Sequence, residues 1–212
     1  MFKIGEHEVI CKTPIPRKRI PSIVPSLEYE WKVIKDGKVL KSGKGKAHSY
    51  VLNFMKLLRI LFYATGETLK DDTGSDITVQ KSNLPDVDIA PDADIDTYGI
   101  LFGTGTTGFD INQYNLASKI PQGTGDNQFD YGAVSVGEVD TSTPNKIRMA
   151  IQRSAVNNGS VDINVNEVGL FIKITIGGTD YYFMLARDKL DSTITVPAGA
   201  TLSWTYYIYT AY

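Results

Sequence analysis

The sequence predicts a mainly β protein: an antiparallel β-sandwich of jelly-roll type, preceded by an extended N-terminal arm, a β-hairpin and one apolar helix. Three observations predict it. From Tyr98 onward, short runs rich in Val, Ile, Thr and Tyr succeed one another with Gly, Asn, Asp and Pro between them, the usage of strands and turns. No helix-period segment separates these runs, so neighbouring strands are joined without the crossovers that a parallel sheet needs. Only one stretch of the 212 residues, beginning near Ser49, is long and apolar enough for a buried helix. The expected divisions are an arm over 1–26, hairpin plus helix over 27–66, and the sandwich over 67–212.

The arm contains "CKTPIPRKRIPSIVPS", with Pro14, Pro16, Pro21 and Pro25 around the cluster Arg17-Lys18-Arg19. Proline at this density excludes helix and interior strand and leaves extended backbone. The first 46 residues carry eleven Lys/Arg against five Asp/Glu, a charge of +6, and the remainder carries −8. Opposite signs let the arm of one copy lie on the acidic body of another, so Arg17, Lys18 and Arg19 are expected assembly residues; contact with nucleic acid is the rival, less favoured reading. The single cysteine, Cys11, excludes an intramolecular disulfide and any C-x-x-C site. Met1 to Glu8 hold no apolar signal-peptide core, which makes a cytoplasm the expected place of synthesis.

"LEYEWKVIKDGKVLKSGKGK" alternates Leu27, Tyr29, Trp31 and Val33 against Glu28, Glu30 and Lys32, and turns at Asp36-Gly37: a hairpin with one apolar face. Lys38, Lys41, Lys44 and Lys46 on its return strand read as a solvated edge. In "HSYVLNFMKLLRILFYATG", Ser49 is the expected N-cap and Gly66 follows the end. Nearly every position is apolar except Asn53, Lys56 and Arg59. The stretch is too short and too charged to span a membrane, so it is expected to be buried on most of its circumference, against the β body and a second subunit. Leu58 and Phe62 are its expected assembly contacts.

Residues 67–97 read as an acidic, turn-rich loop. Asp92, Asp94 and Asp96 imitate the start of a calcium loop, but the sixth position is Thr97 instead of Gly and the twelfth is Gly103 instead of Glu. Gly103-Thr-Gly105-Thr-Thr-Gly108 spells G-x-G-x-x-G directly after an apolar run. A dinucleotide site needs a long helix next, and "FDINQYNLASKIPQGTG" is too short for one before Pro121, so the glycines are expected to serve a loop between strands.

Further strands are expected at "YGAVSVGEV", "NKIRMAIQRSAV", "VDINVNEVGLFIKITI", "YYFMLAR", "STITV" and "ATLSWTYYIYT", with turns at Gly177-Gly178 and Pro197-Ala-Gly199. Chemistry has little to work with. His7 and His48 are the only histidines, far apart in the chain, and Cys11 has no motif. Glu167 in "NEVGLF" and Arg187-Asp188 in "LARD" read as satisfied structural groups. No catalytic residue, metal or cofactor is expected.

"GILFGTGTTGFDINQYNLASKI", "YGAVSV", "NVNEVGLFIKI", "FMLARDKL" and "ITVPAGATLSWTYYI", in this order over about residues 98–209, resemble a recurrent pattern in structural proteins of tailed viruses of bacteria and archaea. The resemblance implies a non-enzymatic virion component, of capsid shell, decoration or tail, made in the host cytoplasm. Expected partners are further copies of the chain and other virion proteins, with no membrane and no nucleic acid. The alternative is a host-recognition module of a tail or fibre, in which Tyr206, Tyr207 and Tyr209 stack on a surface glycan.

Overall fold

The computed structural model describes residues 25–47 and 50–211. Its strands, in chain order, are β1 (Ser26–Lys35), β2 (Lys38–Ala47), β3 (Gly66–Lys70), β4 (Asp76–Gln80), β5 (Val87–Asp88), β6 (Gly99–Gly103), β7 (Asp130–Tyr131), β8 (Ser135–Val136), β9 (Lys146–Val156), β10 (Ile163–Ile176), β11 (Thr179–Val196) and β12 (Thr201–Ala211). Helix α1 (Leu52–Phe62) lies between β2 and β3, and a 3-10 helix, Lys81–Asp86, follows β4. The protein is mainly β and its sheets are antiparallel, as the strand spacing predicts.

The larger sheet runs β2-β1-β12-β9-β7, with β8 also on β9. The second runs β11-β10-β5, with β6 also on β10, and β3 and β4 form a separate hairpin. One core joins the two large sheets: Leu27, Ile151, Leu202 and Trp204 from the first meet Phe102, Val168, Leu170 and Ala186 from the second, all buried. A second cluster lies on the other face of β10 and β11, where Ile172, Ile174, Phe183 and Leu185 receive Phe54 and Ile60 of α1 and Leu69 and Val79 of the small hairpin. Burial on both faces explains why "VGLFI" in β10 reads as a continuous apolar run instead of an alternation.

Several expectations are corrected. The hairpin of residues 27–46 turns at Asp36 and Gly37, whose φ of 52° and 72° suit a two-residue hairpin turn. It also joins the larger sheet, because β1 pairs with β12 over Ser26↔Tyr209 to Ile34↔Thr201. The acidic stretch is more ordered than its composition suggests. Asp71 accepts bonds from Thr73 and Ser75 to close a turn, and Leu69 and Val79 on either side of it are buried. "YGAVSVGEV" yields only the two short pieces β7 and β8, while "YYFMLAR" and "STITV" fuse into the single strand β11. Ser49 and the arm lie outside the described residues; α1 begins after Val51, which makes no side-chain cap.

Candidate functional site

The glycine-rich loop encloses an anion that belongs to the protein itself. Gly105 N–H and Ser118 N–H donate to Glu167 Oε1 at 3.0 and 2.8 Å, and Ala117 N–H donates to Oε2 at 3.1 Å. Arg187 Nε donates to Oε2 at 2.7 Å. The same guanidinium donates to the carbonyls of Thr107 and Gly108 and to Gln113 Oε1, at 3.1, 3.3 and 3.1 Å. Both partners are fully buried. A Cβ on Gly105 would stand 2.2 Å from Glu167 Oε1, and one on Gly103 would stand 2.7 Å from it, so both glycines are there to let the carboxylate pass. Residues 109–120 contain no helix, leaving no helix end to hold a pyrophosphate.

Other buried polar groups are similarly committed. Arg153 points inward from β9 and donates to the carbonyls of Gly132, Tyr98, Ile100 and Ile95, with its guanidinium 4.6 Å over the Tyr131 ring. Burial lowers its pKa to about 10. Asp94 and Asp96 accept bonds from the side chain and backbone of Gln122, and Asp96 pairs with Lys119. Among the described residues no cluster of three or more metal-ligating side chains occurs. His7, His48 and Cys11 lie outside them.

Of the three tyrosines expected on a recognition surface, Tyr206 is withdrawn. It faces the core, is fully buried and donates to Asp188 Oδ2 at 2.8 Å. Alternation along β12 sends Tyr207 and Tyr209 to the outer face, where Arg148 lies 4.6 Å over one ring and Lys146 lies 4.3 Å over the other. Burial pushes the Tyr206 and Tyr131 hydroxyls well above the usual phenol range. A raised folded-state pKa contributes stability that is complete below about pH 10 and is lost as pH rises beyond it. In an alkaline titration followed at 295 nm, both rings are therefore expected to ionise only together with loss of the circular dichroism of the sheets. Ionisation of every tyrosine before any unfolding would contradict this.

Helix α1 divides into two faces. Phe54 and Ile60 are buried, and half-buried Leu58 packs with them on the second sheet. Asn53, a break in the apolar pattern, is an anchor: its amide donates to Lys70 O at 2.8 Å and Met184 O at 3.3 Å, and accepts from Lys70 N–H at 3.1 Å. On the opposite face Leu52, Met55, Arg59 and Phe62 follow one another at helical spacing and are exposed, Met55 by 53% and Phe62 by 76%. Leu52 N–H donates to Ile111 O at 2.8 Å, which brings the exposed Phe109 and Ile111 alongside. The expectation of burial on most of the circumference thus holds for only about half of it within one chain. Leu52 and Met55 escape the sequence reading because "LNFMKLLRILF" is too uniformly apolar to show which side is free, and Phe109 and Ile111 because only a long-range hydrogen bond brings their loop beside the helix. Arg17, Lys18 and Arg19 lie outside the described residues.

Compared with known proteins, the chain matches no family model, no curated protein and no solved structure.

Proposed function

We propose that this chain is a non-enzymatic structural subunit of a virus particle, in capsid shell, decoration or tail, and that it assembles through the free face of α1 and through its basic arm. On this reading the two large sheets are the layers of a jelly-roll-like sandwich, supported by the core that residues of both sheets share. The observation that carries the proposal is the exposed apolar stripe Leu52, Met55 and Phe62 with Phe109 and Ile111 beside it. A contiguous exposed apolar patch of this kind is characteristic of a protein-protein contact. Glu167 and Arg187, the charged pair most in need of inspection for chemistry, are sealed in the loop they hold. The resemblance of residues 98–209 to virion proteins points the same way.

The experiment is native mass against concentration for three full or shortened chains. Wild type is expected to form oligomers that weaken as salt rises. Deletion of residues 1–25 keeps every strand of the described residues, since β1 opens at Ser26, and is expected to leave the body folded but reduced to smaller species. Met55→Glu with Phe62→Asp is expected to melt within about 0.5 kcal/mol of wild type, as exposed substitutions do, and to lose assembly. A monomeric wild type would overturn the proposal.

A second reading, glycan recognition, has one observation in its favour. Tyr207 borders a hollow of about 220 Å³ on the outer face of the larger sheet, together with Glu30, Lys32, Gln152, Ser203 and Thr205. An aromatic wall with hydroxyl, amide and acid groups suits a sugar ring. Retention on a host-surface polysaccharide, lost in Tyr207→Ala, would favour it over assembly.

A further inference from the structure

β2 is an edge strand of ten residues whose outer hydrogen-bonding side has no partner strand among the described residues, and two features distinguish it from a merely solvated edge. First, Gly43 and Gly45 occupy the positions that face inward, opposite Trp31 and Tyr29. A Cβ on either would come within 2.7 Å of the aromatic ring system or its hydroxyl, so the rings lie across the glycines. Beside them a cleft of about 250 Å³ opens toward Leu190, Asp191 and Ile194. It exists because β11 bulges there: pairing jumps from Val165↔Ile194 to Glu167↔Lys189, which sets four residues of β11 against one of β10. The core is therefore open at this edge, with aromatic rings at its mouth. Second, Lys44 and Lys46 sit on the outward face directly opposite Glu30 and Glu28 of β1, and Lys38 and Lys41 add two more cations. Four lysines bar β2 from pairing with another β2 and select an acidic strand instead.

The chain contains such a segment outside the described residues, and we propose that residues 2–11 of a neighbouring copy, "FKIGEHEVIC", add to β2 as an antiparallel strand. This rests on the assembly reading above and assigns the arm its acceptor. Glu6 and Glu8 have the same two-residue spacing as Lys46 and Lys44 and face them in one register. In that register His7 falls opposite Gly45, Val9 opposite Gly43, beside the edges of the Tyr29 and Trp31 rings that lie across the two glycines, and Cys11 opposite Lys41. The segment is free of proline, whereas the stretch joining it to the body contains Pro14, Pro16 and Pro21 before Pro25. Extended near polyproline geometry, thirteen residues would span about 40 Å. The root of the arm lies at the Ala47 end of β2, only about 20 Å along the strand from Lys41, so an extended linker overshoots its own edge and delivers the strand to another copy.

Cys11, the only cysteine in the sequence, makes the register testable in the full chain. Lys41→Cys under mild oxidation is expected to form disulfide-linked dimers and longer chains that disappear when Cys11→Ser is added. Asp162→Cys, in the exposed segment before β10, serves as the control and is expected to stay monomeric on a denaturing, non-reducing gel. Glu6→Lys with Glu8→Lys is expected to raise the concentration needed for assembly about tenfold, and adding Lys44→Glu with Lys46→Glu to recover it. A disulfide closed within one chain, equal cross-linking of the control, or charge reversal without effect would overturn the inference. If those results came with assembly still lost on deletion of residues 1–25, the arm would be an assembly element with a different acceptor. If the deletion left assembly unchanged, both readings would fall.

Discussion

Arg187→Ala is expected to destabilise the protein by about 3–5 kcal/mol, enough to leave many variants unfolded at 37 °C. The size follows from what remains behind. Glu167 stays buried with three backbone N–H donors but no counter-cation, and the carbonyls of Thr107 and Gly108 and the amide of Gln113 lose their donor in the same step. Urea unfolding followed by circular dichroism measures the loss. Arg187→Lys is expected to fall between, because one ammonium cannot reach acceptors spread along both edges of a guanidinium. Glu167→Gln tests the other partner, since the amide offers one acceptor oxygen where the carboxylate serves three backbone N–H groups and Arg187. A cost below about 1 kcal/mol for Arg187→Ala would mean that the loop is held by something else.

Trp204→Ala is expected to cost about 3–5 kcal/mol, and Trp204→Phe less than half of that. Trp204 is fully buried where the sheets meet, with Tyr29 stacked 4.7 Å from its ring centroid and Tyr206 and Phe102 edge-on at 5.5 and 6.3 Å. Its indole N–H has no hydrogen-bond partner among the described residues. Phenylalanine therefore gives up volume but no hydrogen bond. If the two variants proved equally costly in urea unfolding, the indole nitrogen would be making a bond after all.

What the sequence revealed depended on whether a pattern was local. The hairpin turn at Asp36-Gly37, the Gly177-Gly178 turn and the long strands β9, β10 and β12 are written in neighbouring residues, where alternation and turn chemistry act. The rejection of a dinucleotide site also needed only nearby residues, because the required helix is missing from the stretch after Gly108. The true role of that loop was not legible, since it depends on Glu167 and Arg187, 62 and 80 residues from their loop partners Gly105 and Thr107. Tyr206 and Tyr207 illustrate a different limit. Both look alike in "WTYYIYT", yet consecutive residues of a strand face opposite ways, and only the pairing of β12 with β1 and β9 decides which tyrosine enters the core. The same is true of Arg153, whose inward position a one-residue reading of charge would place outside.

The strand order of the larger sheet sets a timetable for the protein's own synthesis. β12 is a central strand, paired on one side with β1 and on the other with β9, so two early-made elements wait for the same late one. Until residues 201–211 exist, β1 and β2 form a hairpin without its neighbour in the sheet, which is marginal in water, and Tyr29 lacks the Trp204 ring on which it stacks. Long-range pairings of this kind close slowly and leave apolar surface uncovered meanwhile. The arm and the free face of α1 are thus exposed on a nascent chain well before the body that presents them is complete, which makes premature contact between growing chains the characteristic hazard of this topology. A chain ending short of Thr201 would lack the middle of its sheet, leaving β1 with β2 on one side and β9 on the other as two fragments with no strand to join them.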